Sequence, residues 1–148
     1  QMAARSWRVH YVADQEVDQR FELYSAPLGF SSSPTKLNGT FGVGGALAMG
    51  SGAPFVISPN SKLVVYRADQ VLEGLFDLFL VPIDRSLEPL ALTGALARPG
   101  VTFPAITPDS RRVVYQATER SQVTELFSAV LTFDPYRRHL ANGGAERP

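Results

Sequence analysis

Ile57-Ser58-Pro59-Asn60-Ser61, then Val64-x-Tyr66-x-Ala68, then Asp77-Leu78-Phe79, is the stretch on which the fold turns, because the chain spells it more than once. Val9-x-Tyr11-x-Ala13 and Val113-x-Tyr115-x-Ala117 repeat its middle. Glu22-Leu23-Tyr24 and Glu125-Leu126-Phe127 repeat its end, and Ile106-Thr107-Pro108-Asp109-Ser110 repeats its beginning. From Tyr11 to Tyr66 is 55 residues, and from Tyr66 to Tyr115 is 49. A period of this length marks a repeat architecture, in which each unit hides its apolar surface against the next.

Each unit reads as short antiparallel strands. In the second, residues 54–58 form an apolar run, and Pro59-Asn60-Ser61 is a turn, since proline presets the torsion of one turn position and asparagine suits the next. Residues 62–68 are β-branched and aromatic, the composition of a strand. A polar connector over 69–74 ends in a glycine, residues 75–83 form the next strand, and 90–93 the last. The third unit copies this with strands at 101–107, 112–117, 124–131 and 138–141. The first has counterparts at 8–13, 21–28 and 35–38 only, which leaves its leading strand missing and about eleven strands in all. The whole chain reads as a single domain of three repeats, about 4–40, 53–94 and 101–142. Residues 39–52 hold six glycines (39, 42, 44, 45, 50 and 52) and read as a flexible surface linker. Helical periodicity is poor, so the expected class is all-β.

Strand, Ser-Pro-Asn-Ser turn, Val-Val-Tyr strand and Asp-Leu-Phe strand, closed by Leu90-Ala91-Leu92-Thr93, resemble the WD-repeat-like β-propeller blades of the TolB type. The resemblance covers most of the chain. It implies four-stranded antiparallel blades stacked face to face around an axis, in proteins that mostly serve as binding scaffolds and sometimes accompany a hydrolase domain. Ser61 and Ser110 stand where that family's turn has glycine, so these turns are expected either to avoid a positive φ or to hold it under strain. Propellers take about four to eight blades, and three blades leave two apolar end faces uncovered. The expectation is a homodimer that closes a six-bladed ring. The missing strand would then come from the partner's residues 136–142. On the strand face opposite each Val-x-Tyr-x-Ala set stand Arg8, His10 and Val12; Leu63, Val65 and Arg67; Arg112, Val114 and Gln116. The polar sets of the first and third units suggest that these faces are the wet ends of the stack.

Composition narrows the function. Lys plus Arg and Asp plus Glu are 14 each, for a net charge of zero. That argues against a nucleic-acid partner, which draws a basic excess, and makes self-association easier. There is no cysteine, so disulfides and thiolate metal sites are out, while the compartment stays open between bacterial periplasmic or secreted and cytoplasmic. No window approaches the ~18 apolar residues of a membrane span. The first residues lack an apolar h-region, so no signal peptide is expected in this stretch.

No motif for catalysis, cofactor or metal emerges. A Ser-His-Asp site needs a histidine base and an elbow of the G-x-S-x-G kind. The histidines are His10 and His139, and Gly50-Ser51-Gly52 is too short. Gly42-Val43-Gly44-Gly45 lacks the last glycine of a dinucleotide loop, Leu47 standing there. Asp14, Glu16 and Asp18 alternate, but the glycine and final acid of a calcium loop would fall on Gln19 and Ser25. Glu22, Asp77 and Glu125 recur once per unit. They form either a ring of channel carboxylates able to hold a cation or basic peptide, or a structural acid at the start of each strand. Trp7, Arg8 and His10 at one end, and Tyr136, Arg137 and Arg138 at the other, are candidate interface residues, because tryptophan, tyrosine and arginine dominate interface hot spots. The expected function is a non-enzymatic module that binds a protein or peptide or assembles with itself. The alternatives are an accessory propeller of a larger hydrolase, and a carbohydrate or small-ligand binder in which Tyr24 and Phe79 stack on the ligand.

Overall fold

A computed structural model describes residues 7–29, 32–50, 52–93, 101–118 and 123–133, with Leu72 and Phe103 described by their backbones. The fold is all-β. It comprises β1 (Arg8–Ala13), β2 (Glu22–Pro27), β3 (Thr35–Lys36), β4 (Phe55–Ile57), β5 (Leu63–Leu72), β6 (Leu75–Pro82), β7 (Leu90–Ala91), β8 (Thr102–Ile106), β9 (Arg112–Thr118) and β10 (Thr124–Val130). These form three antiparallel sheets, ordered β1-β2-β3, β4-β5-β6-β7 and β8-β9-β10. Each sheet is one propeller-type blade. The strand expected at 138–141 lies outside the described residues. Among the described residues no strand pairs with β1 on the side away from β2, as the repeat pattern requires.

The repeat is visible atom by atom. Tyr11 pairs with Tyr24, Tyr66 with Phe79 and Tyr115 with Phe127 across neighbouring strands. Their rings stack with centroids 5.6, 5.3 and 5.8 Å apart and planes inclined by 22°, 20° and 21°, the offset arrangement favoured by the ring quadrupole. The three tyrosines thus have one structural role in three blades.

The two serine turns also match. In the first, Ser58 Oγ donates to Asn60 Oδ1 at 2.6 Å and accepts from Leu63 N at 2.9 Å, while Asn60 Oδ1 also accepts from Lys62 N at 3.1 Å. Thr107 and Asp109 reproduce these bonds in the second turn. Ser61 and Ser110 hold φ at 58° and 59°, so the turns do adopt the left-handed region that favours glycine. Ser110 gains something from being serine: its Oγ accepts from Asn60 N of the neighbouring turn at 3.0 Å.

The blades stack with the middle one sandwiched. One apolar layer joins Val64, Tyr66, Ala68, Phe79 and Val81 of the second sheet to Leu23, Leu37 and Val12 of the first. The other joins Val65, Leu78 and Leu80 to Val113, Tyr115, Ala117 and Phe127 of the third. Every blade therefore meets the blade before it through its Val-x-Tyr-x-Ala face. This corrects one expectation. The polar Arg8, His10 and Val12 face is not an end of the stack; it is turned toward the second blade, and the outer face of the first blade is Val9, Tyr11 and Ala13. Only at the third blade is the polar set outermost.

The glycine-rich segment differs from expectation as well. Phe41, Leu47 and Ala48 are buried, and Leu47 forms an isolated bridge with Ala68. Leu47 N donates to Phe21 O at 3.2 Å and Ala48 N to Arg67 O at 3.0 Å, so the segment fastens the first two blades together. Asp69, 6% exposed, anchors it by accepting from Ala46 N at 2.6 Å and Gly74 N at 2.9 Å. The approach is close at Gly45, where a Cβ would lie 3.1 Å from Asp69 O and 3.2 Å from Phe41 Cβ. β5 runs on past Ala68 to Leu72, which pairs with Leu75 after a register shift and leaves Glu73-Gly74 as the turn, with Gly74 at φ 78°.

Candidate interaction surfaces

The first surface is a cleft of about 660 Å³ where the start of β1 meets the second blade's turn, lined by Trp7, Arg8, His10, Ile57, Pro59, Asn60, Ser61 and Ile83. Three of the residues singled out in the sequence thus come together. Trp7 is 71% exposed. Arg8 is held by Ser25, whose Oγ accepts from Nε at 2.6 Å and whose carbonyl accepts from Nη2 at 3.2 Å. His10 Nε2 lies 3.2 Å from the same Oγ. Burial, aided by the Arg8 charge, lowers the His10 pKa and favours the neutral imidazole. Tyr136, Arg137 and Arg138 lie outside the described residues.

Beside this cleft runs the edge of β1 that is open among the described residues. Leu28 N donates to Trp7 O, which fixes the parity of the ladder: Val9, Tyr11 and Ala13 turn their peptide groups to β2. The peptide groups of Arg8, His10 and Val12 therefore face the open side. In the second blade the equivalent edge of β5 is covered by β4, with Arg67 N donating to Pro54 O at 2.9 Å.

The second surface comprises the two outer blade faces. On the first blade, Val9 is 42% exposed beside the Tyr11–Tyr24 stack; on the third, Leu126 is 48% exposed near Val114 and Gln116.

The recurring carboxylates stand opposite Ala13, Ala68 and Ala117. Glu22, 3% exposed, accepts from Tyr24 Oη at 3.1 Å and from Lys36 Nζ at 3.2 Å. Lys36 also reaches Glu16 at 2.7 Å; partial burial opposes its charge, but these two carboxylates outweigh it and raise its pKa. Asp77 accepts from Thr93 Oγ1 at 3.1 Å, and burial, opposed by that bond, raises its pKa. Glu125 is half-buried at the same register. Glu22 and Asp77 thus each take one partner, Lys36 or Thr93, from the last strand of the blade or just beyond it. Asn38 and Thr93 complete the pattern: their side chains accept the backbone N–H of Leu23 at 2.7 Å and of Leu78 at 3.0 Å. Their positions after Leu37 and Leu92 were the signal available in the sequence. Tyr24 and Phe79 are 5% and 2% exposed, covered by their stacking partners and not open to a sugar ring. Among the described residues no group of three His, Asp or Glu side chains gathers as a metal site, and no helix is long and apolar enough to cross a membrane.

No family model and no curated protein matches the chain. Among solved structures it is similar to one described as TolB from Agrobacterium tumefaciens, with 19% identity and a TM-score of 0.53, over 82% of this chain and 40% of that one. At this identity the likeness establishes the fold, a propeller-like all-β architecture, and the chain spans 40% of the length of the structure it matches.

Proposed function

We propose that the chain is a non-enzymatic propeller-type interaction module whose partner is an extended stretch of protein or peptide. The observation that carries this reading is the open β1 edge beside the Trp7, Arg8 and His10 cleft. An edge strand offers main-chain hydrogen bonds to an added strand, and neighbouring pockets then select side chains. The exposed Trp7 and the half-buried Arg8 beside it supply the anchoring contacts. A second copy of the chain, at the outer blade faces, is the other partner of this reading. The 40% share of the TolB structure supports one further reading, in which this stretch works as part of a longer propeller, including one attached to a hydrolase.

Trp7 is the sole tryptophan, so its fluorescence reports on the cleft directly. Peptides selected from a random display library are expected to shift and saturate its emission. With a dye-labelled peptide read by fluorescence anisotropy, Trp7→Phe should weaken binding, and Arg8→Ala should weaken it by about 30-fold or more, as for a hot-spot residue. Selected peptides that bind both variants as well as the original chain would overturn the reading.

A further inference from the structure

We infer that the two outer blade faces are the two halves of one interface, and that a second copy of this chain, laid head to tail, supplies the match. The inference rests on the reading of the chain as an interaction module.

The observation is that, among the described residues, the outer faces of the first and third blades carry copies of faces that the fold presses together inside itself. Within the chain, the first blade turns Val12 and Leu23 toward the second, flanked by the Arg8–Ser25 clasp. They meet Val64, Tyr66, Ala68 and Phe79. The outer face of the third blade repeats the leucine and the clasp of the first of these sets, with Gln116 at the position of Val12. Leu126 takes the place of Leu23, and Arg112 with Ser128 the place of Arg8 with Ser25. The clasp is repeated in geometry: Arg112 Nη2 donates to Ser128 Oγ at 2.9 Å, where Arg8 Nε donates to Ser25 Oγ at 2.6 Å. The outer face of the first blade repeats the other set with Val9, Tyr11, Ala13 and Tyr24, down to the ring stack. The middle blade carries Leu63 and Leu80 at the clasp positions, so the clasp belongs to the two flanking blades alone.

Exposure locates the missing contacts. Val64 and Leu78 are 0% exposed, whereas their equivalents Val9 and Leu126 are 42% and 48% exposed. Both complementary faces lie on one chain, so one further copy satisfies both. Two identical head-to-tail seams related by a two-fold axis close the assembly with no face left over. Zero net charge removes long-range repulsion between the copies.

The test is the solution mass of the full chain by light scattering. The expected value is twice 16.1 kDa. Val9→Arg and Leu126→Arg lie on opposite faces at exposed positions, so each should leave the circular dichroism spectrum intact while weakening association by about 30-fold or more, the size of a hot-spot loss. Each substitution spoils both seams of its own pair. Mixed in equal amounts, the two variants retain one seam between two unaltered faces, and a two-chain species should reappear that neither forms alone. A single-chain mass for the unaltered protein overturns the inference, as does a dimer indifferent to both substitutions or a mixture that shows no recovery. Neither Val9 nor Leu126 lines the Trp7 cleft. A single-chain protein whose Trp7 still responds to selected peptides sinks this inference and leaves the module reading standing; a dimer whose Trp7 answers no peptide does the reverse.

Discussion

β1 and β5 are copies of one strand, yet no residue of β1 is buried while Val64 through Asp69 are buried without interruption. Both carry Val-x-Tyr-x-Ala, and both stack their tyrosine on an aromatic ring across the ladder. What differs is the company. Among the described residues, β5 has a strand on each side and a blade against each face, whereas β1 has one strand and one blade. Burial in this architecture is conferred by neighbours, and the same three residues contribute very different stabilities according to where the repeat stands.

Replacing the two tyrosines puts that difference to its hardest test. Tyr66→Ala removes a fully buried ring whose hydroxyl donates to Gln70 at 2.7 Å and accepts from Gly39 N at 3.2 Å. Large-to-small changes of this kind cost about 3–5 kcal/mol. Tyr11→Ala loses a half-exposed ring and one stack, worth about 0.5–1.5 kcal/mol. Urea unfolding followed by circular dichroism should show the gap, best in the Val9→Arg background where no second copy covers Tyr11. Equal losses would break the comparison.

The glycine-rich segment sharpens it further, since it is fastened to β5 and has no counterpart at β1. Asp69→Ala removes the acceptor of the Ala46 and Gly74 N–H groups, and each lost hydrogen bond is worth about 0.5–1.5 kcal/mol. Amide exchange at Ala46, Leu47 and Ala48 should accelerate, while β1 amides paired to β2 keep their protection. Uniform acceleration across both blades would mean that the segment is not a local fastening.

Most of the fold was legible because its signals are local. Strand alternation, the Pro59-Asn60 and Pro108-Asp109 turns, and the recurring acid-Leu-aromatic triplet each act within a few residues. What stayed hidden depends on contacts made across the chain. Six glycines report a permissive backbone, not that Phe41 and Leu47 will be buried against another blade. Nothing near Asp69 in the sequence says that it will cap an amide 23 residues away. Both faces of a blade alternate alike, so the pattern alone could not tell which face meets which neighbour, and the Arg8, His10 and Val12 face was assigned to the wrong side of its blade. Trp7, Arg8 and His10 were legible as a chemical group, but the participation of Asn60 and Ile83 in their cleft follows only from stacking.

Smaller effects separate the two serine turns. A left-handed serine is strained by about 1–2 kcal/mol, and glycine returns about 0.4–1 kcal/mol of that through the greater freedom of the unfolded chain. Ser61→Gly should therefore stabilise by about 0.5–1 kcal/mol. Ser110→Gly relieves the same strain but removes the acceptor of Asn60 N, and a hydrogen bond of this kind is worth about 0.5–1.5 kcal/mol. Its net effect should be close to zero. Equal stabilisation by both would show that the bond between the turns contributes nothing.

The smallest expected effect concerns the one titratable residue at its place in the repeat, His10, where the other blades carry Val65 and Val114. Burial and the Arg8 charge hold its folded pKa below the ordinary 6.5, so the folded protein favours the neutral ring. Its stabilising contribution is complete above that value and fades as pH falls through the depressed folded pKa, because the unfolded chain takes up the proton first. Unfolding free energies measured from pH 7.5 down to 5 should decline in the unaltered protein more steeply than in His10→Val, which makes the first blade resemble the others at this position. The carboxylates that titrate lower in the range are common to both proteins, so the difference between the two curves isolates His10. Parallel curves would mean that protonating His10 costs the fold nothing, and that the face turned toward the second blade is wetter than its packing implies.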